Sequence, residues 1–103
     1  MPTRLEALEM MVSKGVNDPF PMYGLALEYR SQERHDDAIR AFGQLRERFP
    51  KYVPQYLMCG QMLVNQKRPD EARVWLTQGM EAAKRAGNTH ALGEIQNVLA
   101  TLD

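Results

Sequence analysis

Leu25-Ala26, Tyr29, Ala38, Phe42 and Leu45 recur as Cys59-Gly60, Leu63, Ala72, Leu76 and Gly79, each pair 34 positions apart. Large apolar residues answer large ones and small residues answer small ones, with Leu45 and Gly79 the one clear mismatch. A period of this size specifies a stack of helical hairpins, each burying its face only against its neighbours. The chain of 103 residues is short, so surface-to-volume scaling leaves a thin core to which every helix must contribute.

Apolar spacing and turn chemistry divide the chain into six helices. The first spans 3–14, with Leu5, Leu8, Met11 and Val12 on one stripe, Thr3 as cap and Gly15 as stop. The second runs over 19–32 and puts Met22, Leu25, Ala26 and Tyr29 on one face. Pro19 and Pro21 suit its first turn, where their missing N–H groups are not needed. The third begins near Asp36-Asp37, whose charge favours the positive helix end, and stops at Pro50. The fourth starts at Val53-Pro54 and presents Tyr56, Cys59, Gly60 and Leu63. The fifth opens at Pro69-Asp70-Glu71 and ends at Ala86-Gly87-Asn88. The last covers 89–102, with Leu92, Ile95, Val98 and Leu99 as its apolar stripe and Glu94, Gln96, Asn97 and Thr101 as its polar back. No segment alternates with period two for long enough to be a strand, so the chain reads as all-α.

This pattern resembles the tetratricopeptide repeat, a helix-turn-helix unit of the same length. Met22, Leu25, Ala26, Tyr29, Ala38, Phe42, Leu45 and Pro50 fall at that family's signature sites when Pro19 is taken as position one. The second unit supplies Tyr56, Cys59, Gly60, Leu63, Ala72, Leu76 and Gly79; it departs at Gly79, which is small, and at Lys84, where proline is common. The resemblance implies one domain over 1–103: a right-handed stack of antiparallel hairpins with repeats at 19–52 and 53–86 and flanking helices at 3–14 and 89–102. Leu8 and Met11 then stand where Phe42 and Leu45 stand one repeat later. In the last helix, a step of 33 puts Leu92 and Gly93 opposite the roles of Cys59 and Gly60, a better fit than the strict step.

The resemblance also implies a function. The first helix of each repeat lines a concave groove that takes extended or helical peptides. Its groove-facing positions here are Tyr23, Leu27 and Arg30, then Leu57, Gln61 and Val64, with Phe20 at the edge. Exposed apolar positions of this kind mark an interaction site, so the expected partner is another protein or peptide, and the expected role that of an adaptor or scaffold. The alternatives are a homodimer that buries the same face against its own copy, and burial of that face within the fold itself. A clamp for a terminal carboxylate is disfavoured, because Tyr23, Leu27 and Leu57 stand where such a clamp needs polar groups.

Other functions find little support. Thirteen basic and thirteen acidic residues give zero formal charge, against the basic excess that nucleic-acid binding requires. No window approaches the roughly 18–20 apolar residues of a membrane span. Met-Pro-Thr-Arg opens no signal peptide, and the lone Cys59 forms no internal disulfide, so a reducing, cytoplasmic setting is expected. His90 and Glu94 stand at i, i+4, but a metal site needs three or four ligands. Cys59 is at a packing position, Glu6 and Glu9 can share a face without a dry pocket, and the glycines are scattered singly. Neither catalysis nor a cofactor is expected. Met10, Met11, Met58, Met62 and Met80 are either an adaptable surface or gap fillers, and Trp75 sits at a hairpin junction or an exposed rim.

Overall fold

Six helices account for most of the backbone in the computed structural model, which describes residues 1–102 and leaves Asp103 outside the described residues. They are α1 (Arg4–Ser13), α2 (Pro19–Ser31), α3 (His35–Arg48), α4 (Pro54–Asn65), α5 (Pro69–Ala86) and α6 (Thr89–Ala100). No strand occurs among the described residues, as the spacing requires. The chain divides into two compact units, Met1–Phe49 with α1 to α3 and Pro50–Asp103 with α4 to α6. Within the first, α1 packs on α2 and α2 on α3; within the second, α4 packs on α5 and α6 on both.

The helix starts follow local chemistry. The Thr3 hydroxyl accepts from the Glu6 amide and the Glu6 carboxylate accepts from the Thr3 amide, both at 3.1 Å, a reciprocal cap for α1. Hydrogen bonding to the carboxylate from Thr3, from its backbone first and then from its side chain, holds the Glu6 carboxyl below its ordinary pKa. Asp18 caps α2 by accepting from the Phe20 amide at 2.9 Å, with Pro19 and Pro21 in the first turn. Neither α3 nor α5 has a side-chain cap. Each instead begins with an arginine that reaches forward one turn: Arg34 Nε donates to Asp37 Oδ2 at 2.9 Å, and Arg68 Nε donates to Glu71 Oε1 at 2.8 Å.

The turn inside each hairpin is copied down to its backbone. Glu33 and Lys67 both take φ of 58°. Around them, the amides of Glu33 and Arg34 donate to Arg30 and Tyr29 carbonyls, and those of Lys67 and Arg68 to Val64 and Leu63. Left-handed backbone costs an L-residue about 1–2 kcal/mol, so both turns are held by the helices they join. At the end of α5, the left-handed position is Gly87, with φ of 68°.

The repeated residues form the core. Ala26, Ala38, Phe42 and Leu45 in the first unit are fully buried, as are Cys59, Leu63, Ala72 and Leu76 in the second. Small side chains permit close helix approach: a Cβ at Gly60 would lie 2.5 Å from Leu76 Cδ2, inside contact distance. The mismatch between Leu45 and Gly79 has a direct cause. A Cβ at Gly79 would meet Tyr56 Cβ at 2.5 Å and Ile95 Cδ1 at 3.0 Å, so the space beside it is already filled from α4 and α6.

Two registers differ from expectation. On α6 the fully buried residue is Ile95, and a Cβ on Gly93 would meet nothing within 4 Å. The close contact expected at Leu92-Gly93 is therefore not made; Ile95, drawn in over Gly79, sets the packing of the helix. On α1, Leu8 packs at Gly24 as a core residue should, whereas Met11 is exposed rather than buried like Leu45. Tyr29 also differs from its counterpart Leu63: it is half-buried and its hydroxyl donates to Glu9 Oε2 at 2.7 Å. That bond, above all, pushes the Tyr29 pKa up.

Candidate protein-interaction surface

The two faces expected to meet a partner belong to α2 and α4, and each is built within its own unit. On α2, Pro21, Met22, Leu25 and Ala26 turn into the core. This leaves Tyr23, Leu27 and Arg30, spaced i, i+4, i+7, on a half-buried stripe along one flank. The Tyr23 ring is held edge-on to Phe42, with centroids 6.5 Å apart and planes at 61°. Phe20, one turn earlier, is 69% exposed.

The same construction recurs on α4. Gln55, Tyr56, Cys59, Gly60, Met62 and Leu63 are buried, and Leu57, Gln61 and Val64 form the matching i, i+4, i+7 stripe. Leu57 and Val64 are half-buried and Gln61 is exposed. Each stripe thus combines apolar side chains with one polar group, Arg30 or Gln61, on a rigid helix whose other faces carry the packing.

Several residues considered as chemical groups have structural roles. Cys59 is a buried free thiol. Glu6 belongs to the α1 cap and Glu9 accepts from Tyr29. His90 Nε2 lies 3.2 Å from Glu94 Oε1 on an exposed helix face. Among the described residues, no three His, Cys, Asp or Glu side chains come together as a metal site. No helix among them is long and apolar enough to cross a membrane.

Trp75 is not at an exposed rim. It is buried within the second unit, with its ring 6.0 Å from that of Tyr56, whose hydroxyl donates to the Pro50 carbonyl. The methionines divide by burial: Met22 and Met62 fill the cores, Met58 and Met80 are half-buried, and Met1, Met10 and Met11 are exposed. Sequence reasoning picked out Phe20 and left Met10 and Met11 open between surface and core, but missed the exposed Val16, which lies in the turn outside any helical stripe. Gln55 was also missed. It is a fully buried polar residue at the start of α4, and a glutamine in a first helical turn carries no signal of burial.

Comparison with known proteins agrees with this architecture. The tetratricopeptide repeat family matches residues 29–92. A crystal structure of a tetratricopeptide repeat domain protein from Salinibacter ruber is 32% identical, covering 82% of this chain and 94% of that one, with a TM-score of 0.75. Its solution structure gives a TM-score of 0.76 at the same 32% identity, over 82% of this chain and 86% of that one. A solution structure of a Bordetella parapertussis protein is 25% identical, covers 99% of this chain and 89% of that one, and has a TM-score of 0.82. No curated protein matches the chain.

Proposed function

The chain belongs to the tetratricopeptide repeat family, and from that premise we propose that it is an adaptor or scaffold that binds a peptide or helix of another protein through its α2 and α4 stripes. Tetratricopeptide repeats are generally non-enzymatic modules that mediate protein–protein interaction. One observation carries the reading to particular residues. After the hairpin cores are satisfied, both first helices keep apolar side chains half-open at i, i+4, i+7 spacing: Tyr23 and Leu27 on α2, Leu57 and Val64 on α4. An apolar helix or extended segment gains by covering such positions, and Arg30 and Gln61 supply polar contacts that fix its register. A reducing, cytoplasmic setting suits the buried thiol of Cys59.

Affinity capture with wild type, Leu27→Glu, Leu57→Glu and Val74→Glu tests this reading. Val74 is exposed on α5 and outside both stripes, so it serves as the surface control. Proteins held by wild type and by Val74→Glu should be lost from the two stripe variants, with melting curves showing that all four fold. Recovery of the same proteins by Leu57→Glu would remove α4 from the binding surface.

A further inference from the structure

The two terminal helices are anchored to different degrees. Helices α2 to α5 each bury four to six residues, whereas α1 and α6 bury one apiece. Ile95 of α6 is fully enclosed beside Gly79, and α6 packs on both α4 and α5. Just beyond its end, Arg73 Nη2 donates to the Leu102 carbonyl at 2.8 Å. Leu5 of α1 keeps 9% of its surface exposed, and α1 packs on α2. The segment 14–18 that joins these two helices is exposed throughout and turns through Gly15 at φ of 72°.

On α2, three groups form the seat that α1 occupies. Leu8 lies at Gly24, where a Cβ would be 3.3 Å from Leu8 Cδ2. Arg4 Nε pairs with Glu28 Oε2 at 3.2 Å, and the Tyr29 hydroxyl donates to Glu9 Oε2 at 2.7 Å. Glu28 and Tyr29 each have a second partner outside α1. Gln32 Nε2 donates to Glu28 Oε1 at 3.3 Å, and the Arg34 guanidinium stands 4.7 Å from the centre of the Tyr29 ring. The seat is therefore built within the α2–α3 hairpin and keeps its shape without α1. The polar ties to α1 are exposed and correspondingly weak.

We propose that α1 is a displaceable strap, and that the seat of Gly24, Glu28 and Tyr29 beneath it takes a helix from another protein in its place. Local opening below the cost of global unfolding is the rule where apolar burial is small and hydrogen bonds are exposed. Ten residues are too few to hold a helix in water once off α2, so α1 melts as it leaves. The occupant is defined by what α1 itself presents: a basic residue, a leucine four positions later and a carboxylate next to it, as in Arg4, Leu8 and Glu9. The leucine fills the gap at Gly24, the cation meets Glu28 and the carboxylate accepts from Tyr29. The covalent tether keeps α1 at high local concentration, so an outside helix binds weakly until the strap is loosened. These three groups are separate from the stripe of Tyr23, Leu27 and Arg30, and the inference goes beyond the binding proposed there.

A fluorescent peptide with the sequence of residues 3–13, titrated into the full chain, decides the matter. It should bind wild type weakly and the Leu8→Ala chain about 10-fold more tightly, because the shortened side chain loosens the tethered competitor and leaves the seat intact. Hydrogen exchange of the α1 amides should quicken by about the same factor in Leu8→Ala, with the α4 and α5 amides unchanged. The same peptide carrying Leu8→Glu should bind neither chain, a control that leaves the protein itself untouched. Equal peptide affinity for wild type and Leu8→Ala overturns the proposal, as does undiminished binding of the Leu8→Glu peptide. So do α1 amides that exchange in wild type only through global unfolding. A wild type that dimerises by exchanging α1 between copies would assign the seat to a second copy and also overturn it.

Discussion

The α2–α3 and α4–α5 hairpins share one backbone plan but fill their interiors differently. Met22 on α2 and Leu45 on α3 are both buried, and their counterparts are Tyr56 and Gly79. A medium-sized pair in one hairpin is thus replaced by a large residue and a bare backbone in the other. Ile95 from α6 takes up the remaining room at Gly79. Volume is conserved over the group of contacting side chains rather than at each repeat position, as close packing demands. The flanks differ as well. Asp37 accepts from both Arg34 and Arg40, at 2.9 and 3.0 Å, whereas the position equivalent to Arg40 is the exposed Val74.

Exchanging residues between the hairpins is the way to break this comparison. Leu45→Ala empties a fully buried site and should cost about 2–5 kcal/mol in chemical denaturation. Gly79→Leu should cost about 3 kcal/mol, since it drives a branched chain against Tyr56 and Ile95. Combined with Ile95→Ala, the same substitution should be less harmful than the sum of the two single changes, by about 1–3 kcal/mol. Simple additivity would show that Ile95 does not occupy the space that Leu45 fills in the other hairpin.

The shared features give smaller effects. Glu33→Gly and Lys67→Gly relieve the same left-handed backbone and should each raise stability by about 1 kcal/mol or less. A gain at only one site would mean that the two turns are not equivalent in energy. The smallest expected effect concerns Asp37, whose pKa is lowered from 3.8, first by the hydrogen bond from Arg34 and then, more weakly, by Arg40. A carboxyl lowered on folding contributes its stability above the unfolded value and loses it as pH falls through the folded one. Wild type should therefore lose stability more steeply than Asp37→Asn as pH falls below 3.8. Parallel acid titration curves would show that this ion pair does not bear on folding.

The legible parts of the fold were those where one residue type admits one solution. Ala26, Ala38 and Ala72 at fixed spacing, prolines in first turns and Gly87 after α5 all pointed to the helices observed. The packing of α6 was hidden because Gly93, beside its stripe, reads as the small residue that marks the contact and is not. The decisive partner, Gly79, lies on another helix. Trp75 was left open for a related reason: a large aromatic beside a core leucine fits inside or outside until Tyr56 is seen against it. The stripes of α2 and α4 were legible through their register with the repeat. The exposure of Met11 was not, since its spacing from Leu5 and Leu8 reads as core-facing.

The claim that matters most is that the first helix of each hairpin is kept open for a partner, and site-specific photo-crosslinking in cells tests it most directly. A photoreactive side chain should be placed in turn at Leu27, Leu57 and Val74. The account predicts adducts with one and the same foreign protein from the first two positions and none from Val74. Equal labelling from Val74, or adducts only to the chain itself from Leu27 and Leu57, would contradict it.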